Sequence, residues 1–157
     1  MNSTDVTDET LVEIVDTVWT TVLGLPVAQR NDPLCVQNAR GLAVCVHIVG
    51  TWNGTVMYLP TEEFARRSAA IMLAVPVESV STDDIHDAAA ELCNIVAGSL
   101  KGVLPGPSSL SLPTVAEGAN YEVRIRKARP LLRSSFRCDG ETLQIAVLES
   151  DNAPSVQ

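Results

Sequence analysis

Apolar residues return along this chain with two periods, and those periods lay out its elements. From about Asp8 to Leu23, Leu11, Ile14, Val15, Val18 and Val22 recur at helical spacing, and Gly24 with Pro26 predicts the stop. Residues 26–33 predict a loop with Asn31, Asp32 and Pro33 as turn residues, and Leu34 to Val36 a short strand. Gly41 to Val49 is apolar at nearly every position, the pattern of a strand covered on both faces. Asn53-Gly54 then predicts a tight hairpin turn, because both residues tolerate positive φ, and Thr55 to Leu59 returns as the partner strand. Trp52 reads as an aromatic packed beside that turn. A second helix is predicted from Pro60-Thr61 to about Leu73. It turns Phe64, Ala65, Ser68, Ile71 and Met72 inward and leaves Arg66 and Arg67 solvated, in reach of Glu62 and Glu63.

Ser81 to Leu104 predicts the longest helix, about six turns. Ser81 followed three residues later by Asp84 is a capping-box start. Asp83 and Asp84 suit the positive end of the helix dipole, and Gly102 with Pro105 marks the far end. At about 100° per residue, Ala89, Leu92, Val96, Leu100 and Val103 share one side. Asp87, Glu91, Asn94, Gly98 and Lys101 share the opposite side. The apolar side is a core stripe. The other side admits two readings. One is a solvated helix face. The other is a functional face, on which a carboxylate and an amide three residues apart project together, and a glycine one turn later leaves the backbone open to close approach.

Beyond this helix, PGPSS predicts a loop and Leu110 to Leu112 a short extended segment. Pro113 to Gly118 reads as an irregular strand or turn, kept off a central ladder position by its proline. Tyr121 to Lys127 alternates, as a strand with one wet face does. Leu131 to Cys138 and Thr142 to Leu148 flank Asp139-Gly140, a second primed-turn hairpin. Residues 1–8 and 150–157 predict disordered ends around one domain at 9–149. A helix followed by an antiparallel hairpin occurs twice. The expectation is an α+β domain: one antiparallel β-sheet with helices packed mainly on one face.

Composition narrows the function. At 157 residues, with 46% apolar, the chain can bury a real core, but two Phe, two Tyr and two Trp leave most of it to Val, Leu, Ile and Ala. The formal net charge of −8 argues against nucleic acid as a partner. No apolar run reaches membrane-span length, and the polar, acidic MNSTDVTDET predicts no signal peptide, so the expected location is cytoplasmic. Cys35, Cys45, Cys93 and Cys138 stand far apart, and His47 and His86 form no ligand spacing with them, which predicts no metal site. Cys93 points toward the apolar side of its helix and is assigned no catalytic role. The absence of a GxGxxG or P-loop pattern argues against a bound nucleotide.

The run DAAAELCNIVAGSLKGVL followed by SLPTVAEG resembles the chemotaxis phosphatase family that includes CheX, CheC and FliY, and CheX most of all. The family pattern is an Asp or Ser, then Glu, two residues, Asn, and a later proline. Here those positions are Asp87, Glu91, Asn94 and Pro113. The hairpin GLAVCVHIVGTWNGTVMYL also resembles the CheX hairpin, with Gly50 and Gly54 in matching places. The likeness covers roughly residues 8 to 149. The interval from Asn94 to Pro113 is a few residues shorter than the family's, Ser99-Leu100 replaces a more polar pair, and a second ExxN copy of the CheC kind is missing.

The resemblance implies hydrolysis of the phosphoaspartate on a CheY-type receiver domain. Asn94 would orient the attacking water and Glu91 would pair with the receiver's lysine. Asp87 and Gly98 would lie in the docking footprint with Lys101, itself more a surface charge than a chemical group, while Pro113 shapes the neighbouring segment. The residue types suit the task. An acyl phosphate is already activated and its transition state is loose, so holding water in line is most of the catalyst's work, and a carboxamide has both an acceptor and donors for it. The chain would need no cofactor of its own, since Mg²⁺ belongs to the receiver. A homodimer joined through sheet edges is also implied. Two alternatives stand beside this: a non-catalytic module that binds a receiver or the flagellar switch, and an assembly domain on which Glu91 and Asn94 merely face solvent.

Overall fold

The computed structural model describes residues 6–30, 40–119 and 127–150. The Asn31–Pro33 turn, the Leu34–Val36 strand, Cys35 and nearly all of the Tyr121–Lys127 strand lie outside the described residues, as do positions 1–5 and 151–157.

Helix α1 spans Asp8–Val18 and starts where Thr7 Oγ1 accepts the Thr10 N–H at 3.2 Å. It runs on as a π-helical turn, Trp19–Leu23, that stops at Gly24 in the left-handed region, φ 68°. The wider turn changes the inward set. Trp19 and Leu23 are buried, while Val22 is only half-buried. Trp19 meets Tyr58 edge-on with centroids 5.7 Å apart and stacks on Phe64 at 6.3 Å, so it joins the first helix to the sheet and to the second helix.

Strands β1 (Ala28–Arg30), β2 (Arg40–Gly50) and β3 (Gly54–Pro60) precede α2 (Glu62–Leu73), which Thr61 caps. A 3₁₀ turn at Val77–Ser79 leads to α3 (Thr82–Lys101). Strands β4 (Ser108–Leu110), β5 (Thr114–Ala119), β6 (Ala128–Cys138) and β7 (Glu141–Ser150) complete the fold. Among the described residues the strands form one antiparallel sheet in the order β1-β6-β7-β3-β2-β4, with β5 also on β2. β2 pairs with β5 through residues 40–45 and with β4 through 48–50, so the Pro113–Gly118 stretch is a regular ladder strand once its proline is passed.

All three helices cover one face. The register sets Val44, Tyr58 and Ile145 in one row and Val46, Val56 and Val147 in the next, all in the main core. The other face carries a small cluster of Cys45, Met57 and Ala146. β2 therefore buries side chains on both faces from Leu42 to Val46, as its apolar run predicts, while Val49 near its end is 53% exposed.

Three local expectations need correction. Asn53 has no positive φ. The β2–β3 loop holds three residues, and the Asn53 side chain closes it by accepting from Gly50 N–H at 3.1 Å and donating to Gly50 O at 2.9 Å. Gly54 is needed for room, since a Cβ there would strike the Leu148 carbonyl oxygen and the Trp52 ring. Arg67 is not simply solvated; it donates to the Asp139 carbonyl at 2.9 Å and to its carboxylate at 3.0 Å. It thereby ties α2 to the β6–β7 turn, where Asp139 and Gly140 do take positive φ. Ile71, read as inward, is 39% exposed, because Ala69 and Ala70 take its place against the core.

The start of α1 is held to the sheet by Asp8, whose carboxylate accepts from the Gln29 amide at 2.9 Å and the Ser134 hydroxyl at 2.5 Å. These bonds, Gln29 first and Ser134 second, hold the Asp8 carboxyl below its ordinary value of 3.8. A depressed carboxyl stabilises the fold above its unfolded value, and that contribution fades as pH falls through the folded one. Replacing Asp8 by Asn is expected to lower the melting temperature at pH 7, with the gap from the native chain closing below pH ~4. A gap that stays constant from pH 7 to pH 3 in thermal melts contradicts this.

Candidate functional site

Helix α3 is fixed from both ends and along one side. Ser81 Oγ accepts from Asp84 N–H and the Asp84 carboxylate accepts from Ser81 N–H, each at 3.0 Å, completing the capping box. His86 Nε2 lies 2.7 Å from Glu117 Oε2, linking the first turns to β5. At the far end the Lys101 ammonium donates to the Ser108 carbonyl at 3.2 Å. Between these points Ile85, Ala89, Leu92, Val96 and Leu100 are buried. Val103, predicted on that stripe, lies past the end of the helix and is 41% exposed.

The inward stripe sets the outward one. Asp87 and Glu91 are exposed, and Asn94 and Gly98 are half-exposed. The four stand along one side of a 20-residue helix, as the spacing predicts. Among the described residues, Asp87, Glu91 and Asn94 make no side-chain hydrogen bond or ion pair within the chain. By contrast Glu62 and Glu63 on α2 lie within 3.1–3.9 Å of arginine nitrogens. A Cβ at Gly98 would meet nothing within 4 Å, so the fold itself has no steric need for a glycine there. Lys101 differs from its neighbours on this side, because its bond to Ser108 employs it in the fold.

The three cysteines among the described residues lie in the interior. Cys45, Cys93 and Cys138 are free and buried. Cys93 points its Sγ at the Val44 and Val56 carbonyls, 3.9 and 3.7 Å away. Burial pushes the Cys93 and Cys45 thiols up, and raises Cys138 to about 11. None of the three is a thiolate at neutral pH. Among the described residues no His, Cys, Asp and Glu gather in threes that could hold a metal ion.

A feature that spacing along α3 did not disclose lies beside Glu91. A groove of about 340 Å³ runs between the last turn of α2 and the first half of α3, lined by Met72, Leu73, Asp84, Asp87, Ala88 and Glu91. The sequence does carry a signal for it. Ala69 to Val77 is apolar at every position, more than one helix face can bury, so part of that run has to come to the surface.

The arrangement can be compared with known proteins. A search of curated sequences finds no match. Among solved structures, CheX from Vibrio vulnificus is similar, with a TM-score of 0.74 and 17% identity over 91% of this chain and 95% of that one. A CheC-like superfamily protein from Shewanella sp. PV-4 gives 0.71 and 18%, over 96% and 99%. CheX in a CheX-CheY-BeF3-Mg²⁺ complex from Borrelia burgdorferi gives 0.63 and 16%, over 90% and 96%. At such identities the likeness concerns the fold. The family model described as "Chemotaxis phosphatase CheX" matches residues 42–137, which include most of β2 and all of β3 and α3. With more than half of its length matched, this chain belongs to the CheX family of chemotaxis phosphatases.

Proposed function

We propose that this protein hydrolyses the phosphoaspartate of a CheY-type receiver domain, with Asn94 orienting the attacking water and Glu91 pairing with a lysine of the receiver. The observation that carries the reading is the state of these two side chains. They stand one turn apart on a rigid helix, open to a partner and bonded to nothing among the described residues of their own chain. A polar pair left so free costs the fold nothing to lend to another protein. Family membership supports the reaction class, and the Borrelia burgdorferi relative, seen in complex with CheY, BeF3 and Mg²⁺, supports the class of partner.

The chemistry follows from what an acyl phosphate needs. Its hydrolysis passes through a loose, in-line transition state in which little bonding to the nucleophile has formed. Placing a water correctly is then the main contribution a second protein can make. The Asn94 amide oxygen accepts one water proton while its N–H₂ donates to a phosphoryl oxygen. Glu91, one turn earlier, registers the helix against the receiver. Mg²⁺ comes with the receiver, so this chain works without a metal or cofactor of its own. Gly98 lets the receiver's surface approach the helix backbone, and Asp87 lies at the rim of the contact. A cytoplasmic homodimer belongs to the same reading.

Three variants test it on a panel of phosphorylated receivers, timed with and without the protein. Asn94→Ala is expected to lower kcat on the order of a hundredfold or more with the fold intact. Unchanged phosphate release refutes the assignment. Glu91→Ala is expected to raise KM about tenfold while kcat changes little. A pure kcat effect contradicts its docking role. Gly98→Ala is expected to raise stability by up to ~1 kcal/mol in urea unfolding, because a methyl fits the open space and favours the helix. The same variant should weaken receiver binding; improvement in both denies close approach at this point.

A further inference from the structure

Glu91 has a second neighbourhood besides Asn94. It forms one end of the groove between α2 and α3, whose acidic wall is Asp84, Asp87 and Glu91 and whose apolar wall is Met72, Leu73 and Ala88. Asp84 is partly committed to the capping box, while Asp87 has no partner in its own chain among the described residues. On that wall Leu73 is itself exposed, and the end of α2 around it is rich in open apolar surface. Of the six most exposed large apolar side chains among the described residues, three fall within five positions here: Ile71 at 39%, Leu73 at 49% and Val75 at 37%. Apolar surface so concentrated, bordered by charge, marks a protein contact.

Resting on the reading that the partner is a receiver, we propose that this groove is a second docking point. It takes one long basic side chain from the receiver, outside the receiver's phosphorylation pocket, and so sets which receivers are accepted. Charge complementarity argues for that occupant. A lysine or arginine carries an apolar stem beneath a cationic head. The stem lies along Met72, Leu73 and Ala88, and the head reaches Asp87. At about 340 Å³ the groove is at the small end of ligand clefts, a size for one extended side chain rather than a helix. The exposed Leu73 side chain then packs on the receiver surface around that side chain. The net charge of −8 favours approach of a basic surface to this protein in general. What singles out the groove is that two of its carboxylates, Asp87 and Glu91, have no partner among the described residues and sit beside exposed apolar area.

The test measures affinity and turnover separately. The probe for affinity is a CheY-type receiver from the same genome, loaded with beryllofluoride and Mg²⁺ and titrated onto the full chain. Leu73→Ser and Asp87→Lys are expected to weaken binding about tenfold each. In turnover they should raise KM with kcat retained. Val103→Ser, an equally exposed apolar change at the far end of α3, should alter neither, and all three should melt near the native chain. Asp87→Asn should flatten the salt dependence of binding. If Leu73→Ser and Asp87→Lys bind and turn over like the native protein while Asn94→Ala is inactive, the groove proposal falls and the phosphatase reading stands. If Asn94→Ala stays active, the catalytic reading falls, and the affinity measurement alone decides the groove. If Leu73→Ser abolishes concentration-dependent self-association and leaves receiver binding untouched, the groove belongs to a second copy of this chain and the proposal is overturned.

Discussion

Leu92, Val96 and Leu100 leave solvent together where α3 crosses the sheet, and that burial sets the rotation of the helix. A fully buried aliphatic side chain contributes roughly 1.5–3 kcal/mol, and a domain's net stability is only about 5–15 kcal/mol. Rolling α3 by one position would expose a large share of that total. The residues on the far side therefore have no freedom to turn inward. Glu91 and Asn94 face outward because Leu92, Cys93 and Val96 face inward, and for no reason of their own.

Movement along the helix axis is limited by different contacts. The capping box fixes the first turn, and the His86–Glu117 contact and the Lys101–Ser108 bond pin the two ends to neighbouring elements. Each is partly solvated and individually weak. Their value is geometric, because placing a water against phosphorus depends on fractions of an ångström. None of these bonds uses Glu91 or Asn94. The helix is held by one set of residues and offered by another, which leaves the candidate pair available for a partner.

Several features near this face do little for the isolated fold. Gly98 sits in the helix with open space where a side chain could go. Ile71, Leu73 and Val75 expose apolar surface at the end of α2. Among the described residues Asp87 and Glu91 go unpaired, although α2 next door shows how readily this chain pairs its carboxylates. Departures of this kind from what favours stability collect where function competes with it. Apart from Gly98, in the last turn of α3, they gather around the first half of α3 and the end of α2.

Local chemistry determined much of this in advance. The bounds of α3, its capping box and the opposition of its two faces follow from a 3.6-residue period and short-range hydrogen bonds, which need no knowledge of the rest of the fold. The same holds for the doubly covered strand β2 and the Asp139-Gly140 turn. Long-range neighbours decided the remainder. The π-helical turn depends on Trp19 finding Tyr58 and Phe64, the shape of the Asn53 loop on Trp52 and the Leu148 carbonyl, and the employment of Lys101 on where β4 runs. The groove beside Glu91 is of this second kind. Its α2 residues, Met72 and Leu73, lie more than ten positions from its α3 residues, and only packing of α2 against α3 could bring them together.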